Sequence, residues 1–151
     1  NKVSQLVVAG VPTTAAQVHS RHILVADEAT ALALLAQLDQ GADFAVLAQQ
    51  YSLDGSTAPN GGDLTWVSQG DLLQPEVEAV IFSIPPGNRA AEPVRSSLGY
   101  HVIEVLDRVE DRPLEPIALA HKQEQAFLAW LEMQRETAEI EIYIGVDVQT
   151  P

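Results

Sequence analysis

His22, Asp54 and His101 are the residues of this 151-residue chain whose types invite chemistry. Two imidazoles and a carboxylate can ligate zinc or non-haem iron. They can also pass a proton to a nucleophile, or simply tie neighbouring backbone together by hydrogen bonds. The metal reading lacks a short-spaced ligand pair of the HxH or HExxH kind. His19 and His22 are three apart, which shares a face on a helix but points to opposite faces on a strand. The hydrolytic reading has Ser52 and Ser56 beside Asp54, but no Gly-x-Ser-x-Gly elbow surrounds either. The structural reading is ordinary for a strand histidine, and a lone turn Asp commonly bonds its own backbone. Spacing alone leaves all three open.

The elements that must position these groups are readable. Val18 to Val25 alternates and then runs apolar, as a strand does, and carries His22. Tyr100 to Asp107 is a second strand and carries His101, with Gly99 setting up a hairpin before it. Asp54 sits in the polar run from Tyr51 to Leu64, where Asn60-Gly61-Gly62-Asp63 allows a tight turn. A loop of that length in a compact domain is more often functional than idle. Leu64 to Val67 reads as a short strand after it.

Between and around these lie helices. One begins at Asp27 or Glu28, with Ala29, Leu32, Leu35, Ala36 and Leu38 as its apolar face. A second starts near Asp43 and turns Phe44, Leu47, Ala48 and Tyr51 inward. Pro75 opens a third, through Val77, Val80, Ile81 and Phe82, which Ile84-Pro85-Pro86-Gly87 ends. Ala91 to Arg95 is an edge strand because Pro93 cannot donate to a ladder. Residues 2–9 read as the last turns of a helix, and Thr13 to Gln17 as linker. After Arg108, Pro113 and Pro116 introduce a long helix from Ile117 to Thr137, striped by Ile117, Ala120, Phe127, Leu128, Trp130 and Leu131. Glu139 to Val148 alternates at strand spacing. Short connections favour one antiparallel sheet with helices packed on it, an α+β domain over residues 18–109.

Composition narrows the partners. A hydrophobic share of 46% fits a soluble globular chain. The net charge of −13, with no Lys or Arg between Arg21 and Arg89, argues against nucleic acid and against phosphopeptides. Zero cysteines removes disulfides, thiolate ligands and a cysteine nucleophile. The first residue is Asn, so the chain reads as processed or as a piece of a longer protein.

Several separate motifs, in order, resemble the parvulin family of peptidyl-prolyl cis-trans isomerases. They are Arg21-His22-Ile23-Leu24-Val25, Phe44 through Ala48 with Tyr51-Ser52, Gly61-Gly62-Asp63-Leu64, and Gly99-Tyr100-His101-Val102-Ile103. The resemblance implies a four-stranded antiparallel sheet surrounded by helices, with the additional long C-terminal helix outside it. It implies that His22 and His101 are paired core histidines, that Asp54 holds the family's Cys-or-Asp position, and that these three form the catalytic group. Leu64 and Leu72 match walls of a proline pocket. Val77 stands where a Phe is usual, with Phe82 a turn or more beyond, and Thr65 stands where Gly is usual.

The flanks resemble bacterial extracytoplasmic foldases of the PrsA and SurA type. On that resemblance residues 1–17 end a foldase-lobe helix and linker, and residues 110–151 form the rest of the lobe. The implied activity is isomerisation of Xaa-Pro bonds in folding secreted or envelope proteins, without cofactor or metal. The implied partners are proline-containing extended polypeptides and a homodimer through the C-terminal helix. The competing reading is a parvulin-like domain that binds peptides as a chaperone and does not isomerise them.

Overall fold

A computed structural model describes residues 2–144. In chain order the elements are α1 (Lys2–Ala9), β1 (Thr14–Val25), α2 (Glu28–Asp39), α3 (Phe44–Tyr51), a single 3-10 turn (Ala58–Asn60), β2 (Asp63–Ser68), α4 (Pro75–Ser83), β3 (Val94–Ser96), β4 (Gly99–Pro113) and α5 (Pro116–Ile144). They divide into two compact units, one of Ala15–Arg112 and one formed by the segments on either side of it.

The central unit is a four-stranded antiparallel sheet in the order β2-β1-β4-β3. Its two long strands lie in the middle and its two short ones at the edges. Each face buries its own apolar cluster, because strand side chains alternate. On one face Ile23 and Val25 of β1 and Val102 of β4 meet Ala31, Leu34, Leu35 and Leu38 of α2 and Phe44, Leu47 and Ala48 of α3. On the other, Val18, Val67, Ile103 and Val105 meet Val77 and Ile81 of α4. His101 lies on β4 two residues from Ile103, so it belongs to the α4 face.

Local sequence explains the helix starts. Asp27 accepts from the Thr30 backbone N–H at 2.8 Å, and Asp43 accepts from that of Val46 at 3.0 Å. Both are N-caps that satisfy an otherwise unpaired donor. Pro75 occupies the first turn of α4, where its missing N–H costs nothing. Glu78 of α4 then accepts from the backbone N–H groups of Gly70 and Leu72, which fixes the turn leading into the helix.

Several expectations change. Residues 14–17 are not linker: they begin β1, because Gln17 is buried and exchanges hydrogen bonds with Arg112 on a β4 that runs to Pro113. The buried face of α2 is Ala31, Leu34, Leu35 and Leu38, whereas Leu32 is 49% exposed. The helix is so rich in Ala and Leu that its periodicity fits more than one phase. Tyr51 is exposed, not inward. The edge strand begins at Val94 rather than Ala91, since Pro93 cannot donate within it.

In the second unit α1 lies against α5. The inner face of α5 carries Leu119, Ala126, Phe127 and Trp130, while Ile117, Leu128 and Leu131 are exposed. Phe127 and Trp130 stack with centroids 6.0 Å apart. Residues 139–144 continue the helix and do not form a strand. Alternating isoleucines specify a strand only beside a partner strand, and the local Ala, Glu and Ile residues propagate a helix. The rest of the expected strand, residues 145–148, lies outside the described residues.

Candidate functional site

Three elements converge on one polar cluster. β1 delivers His22, β4 delivers His101, and the loop after α3 delivers Asp54. The loop is held close by its backbone: Leu53 N–H donates to Leu24 O at 2.7 Å, and His22 N–H to Gly62 O at 2.9 Å. Gly62 is required there. Its φ is +80°, and a Cβ on it would stand 2.1 Å from the His22 carbonyl oxygen.

The side chains form a continuous chain of hydrogen bonds. Ser96 Oγ is 2.7 Å from His101 Nε2, His101 Nδ1 is 3.0 Å from His22 Nδ1, and His22 Nε2 is 2.8 Å from Asp54 Oδ2. The two imidazoles stack at 5.2 Å between centroids. Thr57 Oγ1 donates to Asp54 Oδ2 at 2.7 Å and lies 3.2 Å from His22 Nε2. Ser56 donates to Asp54 Oδ1 from both its backbone N–H, at 3.0 Å, and its hydroxyl, at 2.5 Å.

With both histidines neutral, one tautomer of each satisfies every link. An ionised Asp54 only accepts, so His22 Nε2 carries the proton that points at it. His22 Nδ1 is then a lone pair, His101 Nδ1–H donates to it, and His101 Nε2 accepts from Ser96 O–H. Ser96 Oγ in turn accepts from Leu98 N–H at 3.1 Å. Both histidines are neutral in this pattern.

The electrostatics agree. Burial works against ionisation of Asp54, but hydrogen bonds from Ser56, Thr57 and His22 outweigh it and hold the carboxyl well below the usual carboxylate range. Burial is the largest influence on His101, and the neighbouring His22 adds to it. Together they lower His101 to about 4 despite the opposing fields of Asp54 and Glu76. A site built this way keeps a fixed negative charge and an uncharged His101 at neutral pH.

His22 and Asp54 also line a cleft of about 410 Å³, together with Leu64 of β2. Leu24, Leu53, Gln74 and Leu98 complete its apolar and amide walls. Leu53 and Leu98 form exposed lips, at 62% and 55% exposure. Of the four expected pocket walls, the structure brings only Leu64 to this cleft. Val77 is 2% exposed and packs with Ile81 under the sheet, and Leu72 and Phe82 lie half-buried against that same cluster. Arg108 donates to the Phe82 carbonyl and covers its ring. Val77 is therefore a core residue and not part of the cleft surface.

Sequence reasoning missed Ser96 and Thr57, and it weighed Ser56 only as a nucleophile, not as a donor to Asp54. Ser96 had a usable signal. A two-residue turn pairs Ser96 with Gly99, which puts Ser96 diagonally beside His101 on the same face. Thr57 and Ser56 follow Asp54 at the +3 and +2 spacing of an Asx turn. Among the described residues no group of three His, Cys, Asp or Glu side chains is arranged to hold a metal ion.

Comparison with known proteins adds a family to this geometry. Residues 5–109 match the model of the PPIC-type PPIase domain. The chain is 43% identical over 97 residues to a foldase protein PrsA of a Geobacillus species, covering 64% of this chain and 34% of that one. It is 37% identical over 152 residues to the chaperone SurA of Chromobacterium violaceum, covering 89% of this chain and 35% of that one. The crystal structure of a Bacillus cereus peptidylprolyl isomerase (PrsA) superposes with a TM-score of 0.68 at 29% identity, over 97% of this chain and 60% of that one. This chain thus spans 34% and 35% of the length of those two curated relatives.

Proposed function

Because this chain belongs to the family of PPIC-type PPIase domains, we propose that its cleft catalyses cis–trans isomerisation of Xaa-Pro bonds in polypeptides that are still folding. The observation that carries the reading is the fixed, charge-polarised histidine pair opening onto a cleft with an apolar wall at Leu64.

The barrier to be lowered is amide resonance, roughly 18–20 kcal/mol for rotation about an ordinary peptide C–N bond. A catalyst must bind the twisted amide better than either planar form. Leu64 grips the proline ring, so the preceding carbonyl is the part that rotates. The planar amide owes its stability to a resonance form with negative charge on oxygen. An ionised Asp54 and a buried, neutral His101 do not favour that form. The twisted amide, with its charge relocalised on nitrogen, loses less there than in water. No proton need leave the cluster and no covalent bond forms. His22, Asp54 and His101 are the catalytic group on this reading. Leu72, Val77 and Phe82 support the fold beneath the ring-binding wall.

Residues 18–109 are taken as the isomerase domain and residues 1–17 and 110–151 as parts of a foldase lobe. The compact unit Ala15–Arg112 supports that division. The clients are proline-containing extended chains of secreted or envelope proteins, outside the cytoplasmic membrane, as the likeness to foldases suggests. A homodimer through α5 draws support from exposed Ile117, Leu128 and Leu131. Light scattering of the chain tests it, and a strict monomer would remove it.

The activity is tested by refolding a protein whose slow phase is limited by proline isomerisation, a step of about 10–100 s at 25 °C. Acceleration of that phase by catalytic amounts of the chain is expected. An unchanged slow phase with a stoichiometric delay in folding would instead favour a holding module, which the exposed lips Leu53 and Leu98 would equally serve.

A further inference from the structure

A second cavity, of about 480 Å³, lies in the same compact unit beyond the cleft. Val80 of α4 and Ile84 just after it form one wall, and Ala90, Ala91, Pro93 and Val94 form the other. Its one charged lining residue is Glu92. It exists because the chain leaves the sheet for three residues. Residues 88–90 pair with β4, through Ala90 N–H to Ile103 O and Val105 N–H to Asn88 O, and Val94 to Ser96 pair with it again. Ala91, Glu92 and Pro93 bulge outward between these two pairings and leave an apolar hollow against α4. Pro93 also prevents another strand from pairing along this edge, so the hollow is suited to a side chain and not to an added strand.

The same two elements, α4 and the β3–β4 hairpin, border both the cavity and the cleft. The cleft uses Gln74, just before α4, and Leu98, just after β3. The cavity uses the C-terminal half of α4 and the first residue of β3. Along α4, Val80 lies six residues beyond Gln74 and Ile84 ten, about 9 and 15 Å down the helix axis. An extended polypeptide seated in the cleft covers that distance with about four residues of its own.

We propose that this cavity is a second subsite for the same polypeptide, taking a large apolar side chain, aromatic or leucine-like, about four residues from the proline. The proposal rests on the cleft being the proline site. Its chemistry follows from the lining: five alkyl side chains and a proline ring recognise an apolar group, and Glu92 at the rim disfavours an acidic one. Binding energy from this remote contact would hold the chain in register while the prolyl bond turns.

The test compares catalysed cis–trans exchange, read by NMR, in a short Ala-Ala-Pro-Ala peptide and in nine-residue peptides. The longer peptides carry Phe or Ala four residues before or four residues after the proline. Phe at one of the two positions is expected to raise kcat/KM by about fivefold or more over its Ala control, as burial of one aromatic side chain allows. Ala91→Trp fills the hollow from an exposed position. It should abolish that gain and leave turnover of the short peptide unchanged. Equal kcat/KM for Phe and Ala peptides, or a gain that survives Ala91→Trp, overturns the subsite. Failure of the prolyl-site reading looks different: no peptide would then be turned over, while Phe-dependent shifts of the Val80, Ile84 and Val94 methyls would still report on the cavity.

Discussion

The Nδ1 atoms of His22 and His101 face each other at 3.0 Å. Only one of them can carry a hydrogen, so the pair holds one proton between its rings and the rest of the chain must follow. Asp54 at one end and Ser96 at the other fix its direction. This is why a carboxylate at position 54 matters without attacking anything.

Replacing Asp54 by Asn should reverse that direction. Asn Nδ2 in place of Oδ2 donates to His22 Nε2, so His22 takes the Nδ1–H tautomer, and His101 takes the Nε2–H tautomer and donates to Ser96. Imidazole ¹⁵N shifts of both rings should exchange character between wild type and Asp54→Asn. The variant should fold, at a cost of about 1–3 kcal/mol for the lost charge-assisted bonds, and keep much of its turnover. Unchanged ring tautomers would refute the proton arrangement. Complete loss of turnover in a well-folded variant would refute the non-covalent mechanism. His22→Ala, which removes a hydrogen bond from each of Asp54, His101 and Thr57 and leaves a buried gap, should lower the melting temperature considerably more.

Acid should destabilise the protein in two windows. His101 falls from an unfolded value of 6.5 to about 4 on folding. The unfolded chain therefore binds the proton first, and stability present above pH 6.5 drains away as pH falls toward 4. The loss is on the order of 3 kcal/mol. Asp54, whose folded value lies below its unfolded 3.8, adds a further loss as pH drops below that value. Denaturant unfolding from pH 7.5 to 3.5 reads the slope. His101→Gln should flatten the upper window, and a flat wild-type profile between pH 6.5 and 4 would contradict a buried, neutral His101.

Gly62→Ala should cost about 2 kcal/mol or more, through its positive φ and the collision with the His22 carbonyl. Gly55→Ala is the control, because nothing lies within 4 Å of a Cβ there. Thermal melts of the two should differ by several degrees, with Gly62→Ala also shifting the His22 resonances. Equal melts would mean the loop is not pinned to β1 at this point.

Thr65 is the described non-glycine residue with positive φ, at 59°, beside a register shift between β1 and β2. A left-handed β-branched residue is strained by about 1–2 kcal/mol, while glycine loses about 0.5–1 kcal/mol more backbone entropy on folding. Thr65→Gly should therefore stabilise by about 0.5–1 kcal/mol. Its backbone bond to Asp63 at 2.7 Å does not involve the side chain and survives. A lower melting temperature would show that the Thr side chain contributes more than its strain costs.

The triad was legible in the sequence because each member sits in a short motif whose backbone role is local: a strand, a glycine turn, a hairpin. Thr65 was legible as a departure, and its φ supplies the physical reason glycine suits that bulge. Ser96 was not, since its place beside His101 depends on hairpin register. That Val77 is a core residue was not legible, because the helical phase after Pro75 cannot be fixed when Val, Ile and Phe occur on more than one face. The same ambiguity rotated α2 and α5, and it is settled by which side the sheet offers. The isoleucines near the end looked like a strand because alternation is a local signal, whereas strand pairing is not.

The most direct measurement is NMR exchange on Ala-Xaa-Pro-Ala peptides, with Xaa varied, in the presence of this chain and of its Asp54→Asn variant. The account expects exchange between cis and trans signals to accelerate for apolar and small Xaa, to remain measurable with Asp54→Asn, and to be weak for phosphoserine. Peptide-induced shifts around His22, Asp54 and Leu64 without any faster exchange would contradict it, leaving a cleft that binds polypeptide but does not turn the prolyl bond.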